Sequence, residues 1–138
     1  MQKKRCVIVG CGMRGTDSYA LPIASGHLAD ACELVGLYDT VKKRANVCSK
    51  DCGGAPVFDS FEEMLNATHP DFVIVTTKDA DHHHYIIKAL DMGYDVVSEK
   101  PMTDSRKKAL EIMEAEKRSG HKVRVTFNMR YKIGRAHV

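Results

Sequence analysis

The chemistry-bearing residues of this chain begin with a glycine-rich run, Gly10-Cys11-Gly12-Met13-Arg14-Gly15. It follows the β-branched run Cys6–Val9 and opens a stretch with helical patterning, so Gly-x-Gly-x-x-Gly reads as a strand-to-helix turn with a mechanism. Gly10 permits the tight bend. Gly12, lacking a Cβ, lets a pyrophosphate approach the backbone, and Gly15 lets the helix pack close to the strand. The helix start, around Met13 and Arg14, then offers free amides and a partial positive charge to phosphate oxygens. The competing reading is a glycine-rich turn that holds no ligand.

Three further places carry groups suited to the same ligand. Asp39 ends the second apolar run, where a carboxylate can accept both hydroxyls of an adenosine ribose and repel a 2′-phosphate, favouring NAD over NADP. It could equally cap a helix starting at Val41, and Lys42, Lys43 and Arg44 close by could accommodate a phosphate. Thr76 and Thr77 end the run Phe72–Val75, beyond the point where strand order should reverse, and there they can line a cofactor groove or simply terminate a strand. Glu99-Lys100-Pro101 follows the run Asp95–Ser98. A lysine at that edge can place a donor near a substrate oxygen, and desolvation can shift its pKa enough to transfer a proton. A surface ion pair before a turn is the alternative.

Two clusters tempt a metal reading. Consecutive helical side chains point about 100° apart, so His82-His83-His84 cannot converge on one ion. Only His82, at the helix start, is expected to face the groove. Cys48 and Cys52 could share a helix face, but no convergent His or Cys completes a tetrahedral set. No metal is expected. The cysteines, five in number, form no Cys-x-x-Cys pair, which suits a reducing compartment.

The elements that must position these groups alternate along the chain. Short apolar runs lie at Cys6–Val9, Glu33–Tyr38, Pro56–Phe58, Phe72–Val75, Asp95–Ser98 and Val123–Phe127. Near-continuous apolar strands are what a parallel sheet covered on both faces requires. Between them, Ser60-Phe61-Glu62-Glu63 is a capping box. His82–Met92 places Ile86, Ala89 and Leu90 on one face and stops at Gly93. Asp104–Arg118 is expected to begin with acids, end with Lys117 and Arg118, and pack Ala109, Ile112 and Met113 on the sheet. Pro22 falls inside the first helical stretch, Arg14–His27, which should therefore kink or split near Leu21. The pattern predicts an α/β fold with a doubly wound, Rossmann-type parallel sheet of six strands in the order 3-2-1-4-5-6, occupying residues 1–132.

Bulk properties exclude several classes. The 138 residues carry 21 Lys and Arg against 18 Asp and Glu, a net charge of +3 with the signs interleaved. That balance argues against a nucleic-acid partner. No apolar run reaches membrane-spanning length and the N-terminus lacks a signal-peptide core, so a soluble, cytoplasmic protein without membrane association is expected.

Taken in order, Gly10-x-Gly-x-x-Gly, Tyr38-Asp39, Pro70–Thr77, His82, Ala89-Leu90-x-x-Gly93 and Glu99-Lys100-Pro101-Met102 resemble the nucleotide-binding half of the Gfo/Idh/MocA oxidoreductases from about Arg5 to Tyr131. The resemblance implies an NAD(P)-dependent dehydrogenase acting on a carbinol carbon of a sugar, inositol or related polyol. It places Lys100 near the reacting hydroxyl, Glu99 by the nicotinamide ribose, and Asn128 and Arg130 near the active-site end of the groove. It also allows a cis peptide at Lys100-Pro101. Thr77-Lys78-Asp79 departs from the family's Thr-Pro-Asn. The family's second domain, which supplies a catalytic histidine, most substrate contacts and the oligomer interface, is absent from this sequence. Residues 133–138 match no expected element and resemble translated adapter read-through, so a truncated record diverging after Lys132 is expected. A non-catalytic dinucleotide-binding or redox-sensing module fits the glycine turn and Asp39 equally well but leaves Glu99-Lys100-Pro101 unexplained. An S-adenosylmethionine methyltransferase fits less well.

Overall fold

The apolar runs pair in parallel. The computed structural model describes residues 3–12, 15–26, 28–77, 79–99 and 105–126. Within them lie strands β1 (Lys4–Val9), β2 (Cys32–Tyr38), β3 (Phe72–Val75), β4 (Asp95–Glu99) and β5 (Val123–Thr126), forming one sheet in the order β2-β1-β3-β4-β5. Every pairing is parallel. The predicted third strand, Pro56–Phe58, lies beside β2 as the doubly wound order requires, but is reduced to a single bridge between Val57 and Leu37. It has no room to be longer: Gly53 and Gly54 turn the chain before it, and Ser60 must cap the next helix.

Alternate residues of the central strands point to opposite faces. Val7 and Val9 of β1, with Val73 and Val75 of β3 and Val96 of β4, join one core layer. Cys6, Ile8 and Ile74 join the other. These strand residues are at most 1% exposed, so the sheet is buried on both sides.

The first layer is covered by α3 (Phe61–Thr68), α4 (Asp79–Asp91) and α5 (Arg106–Ser119). The Ser60 Oγ accepts the Glu63 amide at 3.0 Å, fixing the start of α3. Ile86, Ala89 and Leu90 of α4 are fully buried, as the periodicity predicts. Behind them the Gly93 amide donates to Leu90 O and the Tyr94 amide to Ala89 O, the bond pair of a left-handed helix stop.

Helix α5 departs from expectation in two ways. Ser105 takes the cap, accepting the Lys108 amide at 3.1 Å, so the helix starts at Arg106 and its first turn carries no acid. The helix buries Ile112 and Ala115 and leaves Met113 58% exposed instead of packed on the sheet.

The second layer is covered by a π-helical turn (Thr16–Ala20) running into α1 (Leu21–Ser25), and by α2 (Lys42–Asp51). The predicted break near Leu21 is therefore a change of helix type. The Leu21 amide reaches back five residues to Thr16 O, and Pro22 enters within the first turn of α1, where its missing N–H is tolerated.

Candidate functional site

The glycine turn sits at the carboxyl ends of β1, β2 and β3, and register explains its contacts. Val9 pairs with both Tyr38 and Val75. The next residues therefore meet across the strand ends: the Gly10 amide donates to Tyr38 O at 2.9 Å, and the Cys11 amide to Asp39 Oδ2 at 2.8 Å. On the other side the Thr76 amide donates to Val9 O at 2.9 Å and its hydroxyl to Gly10 O at 2.6 Å.

The glycines divide by role. A Cβ on Gly10, whose φ is +97°, would lie 2.7 Å from the Thr76–Thr77 backbone. One on Gly15 would lie 2.2 Å from Gly10 O and 2.7 Å from Thr76 Oγ1. Both positions are filled by this chain's own packing. A Cβ on Gly12 would meet nothing within 4 Å. A glycine conserving open space is what a ligand approaching the backbone requires.

Asp39 is 8% exposed, and a buried carboxylate needs partners. Its Oδ1 accepts the Val41 amide at 2.8 Å, while Oδ2 accepts Cys11. The helix cap itself falls on Val41 rather than Asp39, because α2 starts at Lys42. Each carboxylate oxygen keeps a lone pair for a further donor. Lys42 is turned to Asp59, with Nζ 2.6 Å from Oδ1.

The threonines also divide. The Thr76 hydroxyl is committed to the loop carbonyl, whereas Thr77 Oγ1 is buried with no hydrogen-bond partner. Such groups in a folded protein call for an explanation. A polar ligand over the adjacent Gly10–Gly15 turn supplies one, so the residues present fit a dinucleotide.

The histidines diverge. The His83 Nε2 lies 2.9 Å from Glu111 Oε2, and His84 stands edge-on to Tyr85 with ring centres 5.0 Å apart. Among the described residues no set of His, Cys, Asp or Glu is placed to hold a metal. Met13, Arg14, Lys100, Pro101 and Asn128 lie outside the described residues, as do the side chains of His82 and Glu99 and the segment 133–138.

Sequence reasoning missed the backbone of Cys11 as the partner of Asp39. The signal was present: parallel strands that end in step bring the residues just beyond them together. It also missed Thr16, whose hydroxyl donates to Cys11 O at 3.3 Å and whose amide donates to Gly12 O at 3.0 Å.

Comparison with known proteins agrees with this geometry. The sequence profile described as "Oxidoreductase family, NAD-binding Rossmann fold" (Gfo/Idh/MocA) matches residues 4–127. YteT of Bacillus subtilis, an oxidoreductase by name, is 37% identical over 133 residues, covering 93% of this chain and 31% of that protein. An inositol 2-dehydrogenase of Arthrobacter sp. is 28% identical over 128 residues, covering 92% of this chain and 37% of that one. Among solved structures, the WlbA dehydrogenase of Chromobacterium violaceum in complex with NADH and UDP-GlcNAcA superposes with a TM-score of 0.82 at 27% identity, covering 91% of this chain and 35% of that one. The chain thus spans about a third of the length of the relatives it matches. No helix among the described residues is long and apolar enough to cross a membrane. With the profile covering all five strands and the glycine turn at their ends, the chain belongs to the Gfo/Idh/MocA oxidoreductase family and carries its NAD-binding Rossmann fold.

Proposed function

We propose that this chain is the NAD(H)-binding part of a dehydrogenase acting on a carbinol carbon of a sugar, inositol or related polyol. The observation that carries the proposal is the open space at Gly12, flanked by two glycines whose own space is filled. When bound, the nicotinamide supplies or accepts the hydride. The chain's residues hold and orient it. The helix start after Gly12, with Met13, Arg14 and Gly15, receives the pyrophosphate. Asp39, anchored by two amides, offers its remaining lone pairs to the adenosine ribose hydroxyls. Its charge disfavours a 2′-phosphate, and Lys42, paired with Asp59, is not turned to offset it. NAD is therefore preferred over NADP. Thr76 steadies the loop and Thr77 offers its unpartnered hydroxyl to the groove.

His82, Glu99 and Asn128 are assigned to the groove by sequence position. Lys100, next after the end of β4, is assigned the proton at the substrate oxygen, and Pro101 is assigned beside it by sequence position. The substrate class rests on the relatives, which include an inositol 2-dehydrogenase and a dehydrogenase crystallised with a nucleotide sugar. Titration of the chain with NADH, followed by nicotinamide fluorescence, should show saturable binding; none at millimolar cofactor overturns the proposal. Asp39→Ala should weaken NADH more than NADPH, and an equal loss would remove the ribose role.

A further inference from the structure

Thr16 opens the π-helical turn, and the proposed function gives it no part. It makes three bonds along the backbone. Its amide donates to Gly12 O at 3.0 Å, its hydroxyl donates to Cys11 O at 3.3 Å, and its own carbonyl accepts the Leu21 amide. Inside a regular helix a threonine hydroxyl returns to the carbonyl three or four residues back. This one reaches five back, out of the helix and into the glycine turn. The regular α-helix begins only at Leu21, which leaves the alignment of the turn to bonds made by its neighbours.

Those bonds fix the Cys11–Gly12 peptide in one orientation. Ahead of it, the Thr76 hydroxyl holds Gly10 O, Asp39 holds the Cys11 amide, and Tyr38 O accepts the Cys11 thiol. The peptide itself is held at Cys11 O by the Thr16 hydroxyl. A trans peptide is planar and sets its C=O and N–H on opposite sides. With Cys11 O turned toward Thr16, the Gly12 amide is turned away from it. A Cβ on Gly12 would meet nothing within 4 Å, so this donor stands beside open space. The same plane is the easiest in the turn to rotate, because its second residue is a glycine, which takes either sign of φ at little cost.

We propose that Thr16 is a positioning residue for the dinucleotide: its hydroxyl pins the Cys11–Gly12 peptide so that the Gly12 amide donates to a pyrophosphate oxygen. The pinning belongs to the free chain. The donation rests on the NAD(H) site proposed above. No neighbouring bond replaces the hydroxyl. Thr76 holds the preceding carbonyl, and the Thr16 amide holds the following one. The Asp39 bond fixes the Cys11 amide, which two rotatable bonds separate from the Cys11 carbonyl.

The test compares the full chain with Thr16→Val, which removes the hydroxyl at nearly constant shape, and with Thr16→Ser, which keeps it. The Cys11 carbonyl and Gly12 amide resonances are recorded first without ligand. Both should move in Thr16→Val and stay near the parent positions in Thr16→Ser. Unmoved resonances in Thr16→Val overturn the pinning.

NADH, ADP and adenosine are then titrated. Thr16→Val should weaken NADH and ADP about tenfold, the scale of one misaligned hydrogen bond to a charged group, and Thr16→Ser should match the parent. Adenosine, which has no pyrophosphate, should bind all three chains alike. An equal loss of adenosine would show a general loosening of the turn and overturn the positioning role, as would unchanged NADH affinity. Should Thr16→Val fail to fold, Thr16→Ala takes its place in the same comparison. If the parent binds neither NADH nor ADP while the resonances move as expected, the nucleotide site falls and the pinning stands.

Discussion

The two faces of the sheet are built from different materials. The face under α3, α4 and α5 holds Phe61, Met64, Leu65, Tyr85, Ile86 and Leu90, and two of its helices start on serine caps. The face under the π-helical turn, α1 and α2 holds Cys6, Cys11, Ala20, Ala45, Cys48 and Cys52 around Ile8, Tyr19, Ile23, Leu37 and Ile74. Neither the π-helical turn nor α2 starts on a side-chain cap. The difference follows from the glycine turn. The close approach of the helix start to Gly10 O favours small side chains there, while Tyr19 and Ile23 fill the layer further along the helix. One face is built for stability, and the other trades bulk for close approach of the backbone at the ligand end.

The largest expected contrast is in stability. Leu90 is fully buried in the bulky layer, so Leu90→Ala should lower unfolding free energy by about 2–5 kcal/mol. Cys48→Ala, equally buried in the thin layer, removes a single sulfur and should lose about 1 kcal/mol. Urea unfolding reads both; equal losses would break the division between the faces.

The next contrast lies inside the turn. Gly15→Ala drives a methyl onto a backbone oxygen, with overpacking of about 1–3 kcal/mol and loss of NADH binding together. Gly12→Ala meets open space, so stability should stay within about 0.5 kcal/mol while NADH affinity falls at least tenfold. Thermal melts beside NADH titrations separate the two. A Gly12→Ala variant that binds normally would show that the space is not the ligand's.

What the sequence disclosed follows the same division. Periodicity located Ile86, Ala89 and Leu90 because large apolar side chains on one helix face leave a 3.6-residue signature. It placed Met113 wrongly because Ile112 and Met113 are neighbours about 100° apart on a helix, and the buried face is centred on Ile112 and Ala115 instead. The thin face is harder to read. Pro22 announced a break, but a π turn carries no composition signal that separates it from a kink. The glycine spacing and Asp39 were legible because they are demands on single residues. The bond from the Cys11 amide to Asp39 was not, since the two residues are far apart in the chain and meet only when β1 and β2 end in step.

The smallest effect tests the sheet at the end away from the turn. Asp95 opens β4, where its Oδ1 accepts the Lys122 amide at 2.9 Å and lies 3.1 Å from His121 Nδ1. These contacts tie β4 to the chain entering β5 and hold the Asp95 carboxyl below the usual range, the backbone amide being the largest cause. A carboxylate with a depressed folded pKa stabilises above its unfolded pKa and loses that contribution as pH falls through the folded value. The side chain is 56% exposed, so screening keeps the contribution within about 1 kcal/mol. Asp95→Asn should lower the melting temperature by a few degrees near pH 7, and the gap to the parent should close below about pH 4 as the parent carboxyl protonates. A gap that persists in acid would mean that the asparagine disturbs packing at the start of β4, which would move this end of the sheet from electrostatic trimming to structural support.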